Sequence, residues 1–166
     1  MPLGTFIAGR MSAAYNSVDV GMTRQGHEIE VQLKADLIDE TDLYGLTMVD
    51  AVMRGGDAFY NAVFREYKAG PISILTRPFG GTLGLLTNAA NPIGTLLSDK
   101  AQALVLTATA STPAALTPAT LTASKSILAE NYPVKIVHDS RLKELPIRMR
   151  LIPYVSGSDT IFFSTT

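Results

Sequence analysis

Apolar and polar residues alternate most regularly near the end of the chain. Leu145, Ile147, Met149 and Leu151 fall on one side of an extended segment, and Arg148 and Arg150 fall on the other. Strand side chains point to opposite faces with period two, so this segment predicts a strand with one face for a core and one for water or a partner. A second strand-like run, Thr-Ile-Phe-Phe-Ser-Thr-Thr at 160–166, follows it. Near the start, the alternation over 17–23 and 28–34 predicts an antiparallel hairpin turning at Arg24-Gln25-Gly26-His27. Ile29, Val31 and Leu33 share its apolar face, opposite Glu28, Glu30, Gln32 and Lys34. Residues 57–68 place Ala58, Tyr60, Ala62 and Phe64 against Phe59, Asn61, Val63 and Arg65. Apolar groups on both faces predict a central strand or a strand at a subunit contact. Further strands are expected over 101–109, 121–128 and 134–140, which makes the second half all-β.

The alternation breaks in two places. After the acidic stretch of Asp36, Asp39, Glu40 and Asp42, the apolar residues Leu46, Val49, Val52 and Met53 fall at helical spacing. With Thr41 or Asp42 as a cap and Gly55-Gly56 as a stop, the spacing predicts one short helix over about 43–54. From about 70 to 99 the pairs Gly70-Pro71, Arg77-Pro78, Gly80-Gly81 and Asn91-Pro92 punctuate short apolar pieces. This predicts a long Gly/Pro-rich loop insertion holding at most a brief strand or a turn of helix, and loops of that length commonly serve function or contact. Residues 111–119 form a connector of small residues. No internal repeat or sharp boundary divides the chain, so 1–166 reads as a single domain.

Composition narrows the functional classes. The 166 residues are 46% hydrophobic but only 17% charged. A low charge content suits a surface partly covered by other chains, and it suits equally a small Ala- and Thr-rich protein. The net charge of −1 supplies no basic field for nucleic acid or an anionic membrane. Without cysteine there is no disulfide framework, thiolate metal site or cysteine nucleophile. The first ten residues lack the basic leader and apolar core of a signal peptide, and no apolar run reaches membrane-spanning length, so a soluble protein made in a reducing cytoplasm is expected.

Candidate chemistry is sparse. Phe79-Gly80-Gly81-Thr82-Leu83-Gly84 has neither a dinucleotide fingerprint nor a phosphate-loop ending. His138, Asp139 and Ser140 are adjacent in an extended segment and so point to alternate sides, which does not assemble a triad. Asp36, Asp39, Glu40 and Asp42 do not match the calcium-loop spacing, and His27 and His138 stand alone. The acidic cluster therefore reads as a solvated or interface surface, and no metal, cofactor or catalytic residue is expected. Arg148 and Arg150 can bind carboxylates bidentately, for instance in the acidic segment of an adjacent subunit, or remain solvated on an exposed sheet face.

These pieces fit a known order. The acidic stretch leads into Asp-Leu-Tyr-Gly-Leu-Thr-Met-Val-Asp at 42–50, then Arg54-Gly55-Gly56, then an aromatic strand ending Glu66-Tyr67-Lys68. A long loop follows, and then the late Asp139-Ser140-Arg141-Leu142-Lys143-Glu144 run into the Arg148–Arg150 strand. With Ala-Gly-Arg-Met-Ser-Ala-Ala-Tyr-Asn at 8–16 and Val-Asp-Val-Gly at 18–21, the chain resembles structural proteins of the virions of tailed bacteriophages, most closely tail tube proteins. The resemblance implies an antiparallel β-sandwich or barrel with one short flanking helix. It implies hexameric rings stacked into a tube that conducts DNA during ejection, with sheath, baseplate or terminator proteins as further partners. The protein would be made in the bacterial cytoplasm and end in the virion tail, and Asp36, Asp39, Glu40, Asp42, Arg148 and Arg150 are candidates for a subunit interface or the channel lumen. A tail terminator, head-tail connector or capsid decoration protein is the alternative, and a monomeric ligand-binding β-barrel is a second.

Overall fold

The computed structural model describes residues 11–40, 47–81, 94–109, 120–135 and 144–165. Ten strands dominate it: β1 (Met11–Tyr15), β2 (Val18–Asp19), β3 (Thr23–Glu40), β4 (Thr47–Phe64), β5 (Gln102–Ala108), β6 (Thr120–Leu128), β7 (Leu145–Leu151), β8 (Tyr154–Ser156), β9 (Asp159–Ile161) and β10 (Ser164–Thr165). The main sheet runs β2-β1-β5-β6-β7-β4-β3, entirely antiparallel, with β10 added beside β6, while β8 and β9 form a separate ribbon. The sheet rolls until β1 touches the edge strand β3, but among the described residues no ladder joins the two, so it is curled and open rather than a closed barrel.

Alternation builds the core as the sequence predicts. The inward residues of β7, Leu145, Ile147, Met149 and Leu151, lie directly opposite Phe64, Ala62, Tyr60 and Ala58 of β4, and all eight are buried. Across the roll, Ala13 and Tyr15 of β1 pair with Leu106 and Leu104 of β5, and Leu104 pairs in turn with Ala123 of β6. Each large side chain among them contributes about 1.5–3 kcal/mol by leaving water. The Tyr15 hydroxyl donates to the Ser126 carbonyl at 3.2 Å, and burial pushes its pKa up to about 12. Pro146 sits opposite Val63 beyond the last β6 partner of β7, the Leu128–Met149 pair, where the sheet tolerates a residue without an N–H.

The helix predicted over 43–54 is not found: residues 47–54 belong to strand β4, and 43–46 lie outside the described residues. β-Bulges break the period of two here. The register with β3 slips between Lys34 and Ala35, so Met53 and Gly56 of β4 share a face although they are three apart, the step of a helix. Gly55, expected as a helix stop, sits at this bulge with φ +138. The short helix lies instead in the predicted loop insertion, as α1 (Ala69–Thr76), continued by a 3₁₀ turn at Arg77–Phe79, with one more turn, α2, at Leu97–Lys100. α1 drives Ile74 and Leu75 into the core, and its Gly70 packs so closely on the backbone of Asp19 and Val20 that a Cβ there would collide with both.

The predicted hairpin at 17–34 is also redrawn. The tight turn falls at Asn16 and Ser17, which take φ of 51° and 64° between β1 and β2, and residues 24–27 lie within β3, whose partner is β4. The strand expected over 134–140 has no ladder at 134 and 135, and 136–140 lie outside the described residues, as does the connector at 111–119. The single run expected over 145–154 breaks at Ile152 and Pro153, between β7 and β8.

Candidate functional site

Two features of the sheet stand apart from its core. The first is the outward face of β4 and β7. Phe59 and Asn61 lie opposite Arg150 and Arg148 in the ladder, so the same alternation that buries Tyr60 and Met149 stacks these four residues outside. Both guanidinium groups settle over the Phe59 ring, Arg148 at 4.0 Å and Arg150 at 4.9 Å from its centroid. Arg150 holds Glu130 with a fork, Nε donating to Oε2 at 2.8 Å and Nη2 to Oε1, while Nη1 donates to Asp57 at 2.9 Å. Arg148 pairs with Glu30 at 3.1 Å, and Lys34 reaches Asp57 at 2.6 Å. A cleft of about 270 Å³ opens beside the group, lined by Phe59, Ala129, Glu130, Asn131, Tyr132, Arg148 and Arg150.

This cluster is electrostatically closed on itself. Lys34 and then Arg150 hold the Asp57 carboxyl below its ordinary range, Arg150 does the same for Glu130, and hydrogen bonds from Gln32 and Asn61 do it for Glu30. All three carboxylates are therefore kept ionised, a state suited to clamping β3, β4 and β7 together rather than to donating protons. The acids that Arg148 and Arg150 meet are not those of the acidic segment but Glu30, Asp57 and Glu130 of the same chain. Alternation showed the basic face, but the partners of Arg150 lie 20 and 93 positions away and that of Arg148 is Glu30 on β3, and no local pattern announces them.

The second feature is an arm. β4 pairs with β7 only from Ala58 onward, yet β3 and β4 stay paired out to Glu40 and Thr47. Residues 31–40 and 47–57 therefore project as a two-stranded ribbon beyond the sheet. One face continues the core-facing side of the sheet through Val31, Leu33, Ala35 and Leu37 on β3 and Met53 and Ala51 on β4. Here the apolar stripe lies in water: Leu33 is 68% exposed, Leu37 65% and Met53 69%. The other face carries Gln32, Lys34, Asp36, Arg54 and Asp50, with Ile38 and Val52 among them.

The candidate acids distribute along this arm. Asp36 pairs with Arg54 at 2.5 Å, both exposed. The backbones of Asp39 and Glu40 face Met48 and Thr47 across the ladder, and Asp42 lies outside the described residues. Among the described residues no group of three or more His, Cys, Asp or Glu side chains could hold a metal ion, and no helix is long and apolar enough to cross a membrane. No protein-family model matches the chain, and no curated protein matches it.

Proposed function

We propose that the chain is the subunit of a bacteriophage tail tube, a structural protein that closes with its copies into hexameric rings and stacks them into a DNA-conducting channel. The observation that carries this reading is the arm. A ribbon that keeps the apolar patterning of the core but holds Val31, Leu33, Leu37 and Met53 in water is costly for an isolated subunit and useful to one that is covered by neighbours. Two further features support assembly. Among the described residues no ladder forms along the outer edge of the 18-residue strand β3, and unpaired strand edges invite addition of another chain. The chain is also low in charge, in keeping with surfaces buried between copies.

Ring closure and tube growth need two different contacts, one that closes by rotation and one that repeats along an axis. On this reading the arm supplies one of them, and Asp36, Asp39 and Glu40 stand at a subunit contact or on the channel wall. Negative-stain microscopy of the purified chain tests the proposal. Stacked rings or tubes are expected. Isolated rings or trimers would favour a terminator, connector or decoration protein, and a monomer that stays monomeric at high concentration and refuses to join phage tail components would overturn the assembly reading altogether.

A further inference from the structure

Charge balances across the clamp of β3, β4 and β7 as a whole but not across the walls of the cleft beside it. Lys34, Arg148 and Arg150 answer Asp57, Glu30 and Glu130, yet of these only Arg148, Arg150 and Glu130 line the cleft, which leaves its walls one positive charge in excess. The two arginines are also spent to different degrees. Arg150 commits Nε and both terminal nitrogens to Glu130 and Asp57, and in return it takes up both oxygens of Glu130. Arg148 carries the same donors, but among the described residues only its Nη2 meets an acceptor, Glu30 at 3.1 Å. It is nonetheless held in place. Its guanidinium rests 4.0 Å over the Phe59 ring, and its carbonyl accepts from the Ala129 N–H at 2.9 Å, which ties the turn after β6 to β7. Asn131 takes a φ of 58° in that turn, and the Asn131 amide and Tyr132 hydroxyl line the same cleft as further donors.

We propose that this cleft binds a monocarboxylate, whose two oxygens take the spare donors of Arg148. A guanidinium fixed flat on an aromatic ring presents parallel N–H groups to a carboxylate with little ordering left to do. Charge and size narrow the class. The single excess positive charge matches a single negative one, whereas the second charge of a phosphate dianion would face Glu130 with nothing to answer it. A volume of about 270 Å³ lies below the roughly 300–1,000 Å³ of pockets for drug-sized ligands, so the guest is a small organic acid or one acidic side chain of a partner. Glu130 cannot serve as that carboxylate itself, since both of its oxygens already meet Arg150. The site is complete within one chain and does not depend on the assembly reading.

Saturation-transfer NMR observed on the methyl signal of acetate tests the site, on monomer and assembly alike, at an ionic strength held constant with sodium chloride. Half-saturation on the order of millimolar is expected. A blocked peptide with one glutamate separates the sources: displacement of acetate below acetate's own half-saturation points to an acidic side chain, and weaker displacement to a free acid. Phosphate at the same ionic strength should displace acetate about tenfold less well. Arg148→Lys keeps the charge but not the fork and should weaken acetate binding by about tenfold. No saturable transfer, equal displacement by phosphate, or unchanged affinity in Arg148→Lys overturns the proposal. Should that variant not fold, Asn131→Ala with Tyr132→Phe removes two donors from the cleft outside the sheet, and an affinity unchanged there rejects the site.

Discussion

The β3–β4 hairpin is two structures with one pattern. Over its inner half, Tyr60 and Phe64 are fully buried against β7, and over its outer half Leu33 and Met53 carry the same alternation into water. Strand pairing is continuous between the halves apart from the bulges. What differs is only whether something lies over the apolar face. Alternation therefore states which face wants cover, while the cover itself is a property of the rest of the fold or of another molecule.

Cavity-forming substitutions should separate the halves most sharply. Phe64→Ala or Met149→Ala removes a fully buried side chain from the covered half, and a loss of about 3–5 kcal/mol in denaturant unfolding is expected. A loss near zero would mean that the inner half is no better packed than the arm. Next in size is Gly70→Ala, which forces a Cβ against the Asp19 and Val20 backbone and should cost about 1–3 kcal/mol, read from the same unfolding curves.

The outer clamp comes third. Arg150→Met strips the donors from Glu130 and Asp57 and should cost about 1–2 kcal/mol at neutral pH. Its pH dependence has a definite sign. Asp57 and Glu130 have folded pKa values depressed below 3.8 and 4.5, so their contribution is fully present above those values and is lost as pH falls through the folded ones. The difference between Arg150→Met and the unmodified chain should therefore shrink on acidification below about pH 4, and a constant difference would assign the loss to packing on Phe59. The smallest effect on folding belongs to the arm. Leu33→Ser with Leu37→Ser should change monomer stability by no more than about 0.5 kcal/mol yet abolish self-association in sedimentation. A large destabilisation with unchanged association would erase the distinction between the halves.

Sequence patterning revealed much of the sheet. Leu145, Ile147, Met149 and Leu151 and their opposites Ala58, Tyr60, Ala62 and Phe64 were legible because a strand with one covered face writes a period of two. It failed at 47–54, where register slips against β3 interrupt the period of two, and at 24–27, where Gly26 serves a bulge rather than a hairpin turn. α1 was hidden among Gly70 and Pro71, residues that punctuate loops but also open helices. Of the candidate site, the basic face was legible and its occupants were not. Phe59, Glu130 and Asp57 come together through pairing that brings distant segments side by side, information that no window of neighbouring residues contains.

The strand order has a consequence for the order of events in folding. β1 must wait for β5, β4 must wait for β7, and the Tyr15 hydroxyl finds Ser126 across 111 positions, so most of the sheet forms by closing long loops. The local exceptions are the β1–β2 and β8–β9 pairs, of two and three residues, and the far longer β3–β4 hairpin, whose two strands are separated only by residues 41–46. It is the element best placed to form first on a growing chain. The ribbon that ends up bare in the folded chain is thus also bare from the beginning, open to adventitious strand pairing while the rest of the sheet is still forming.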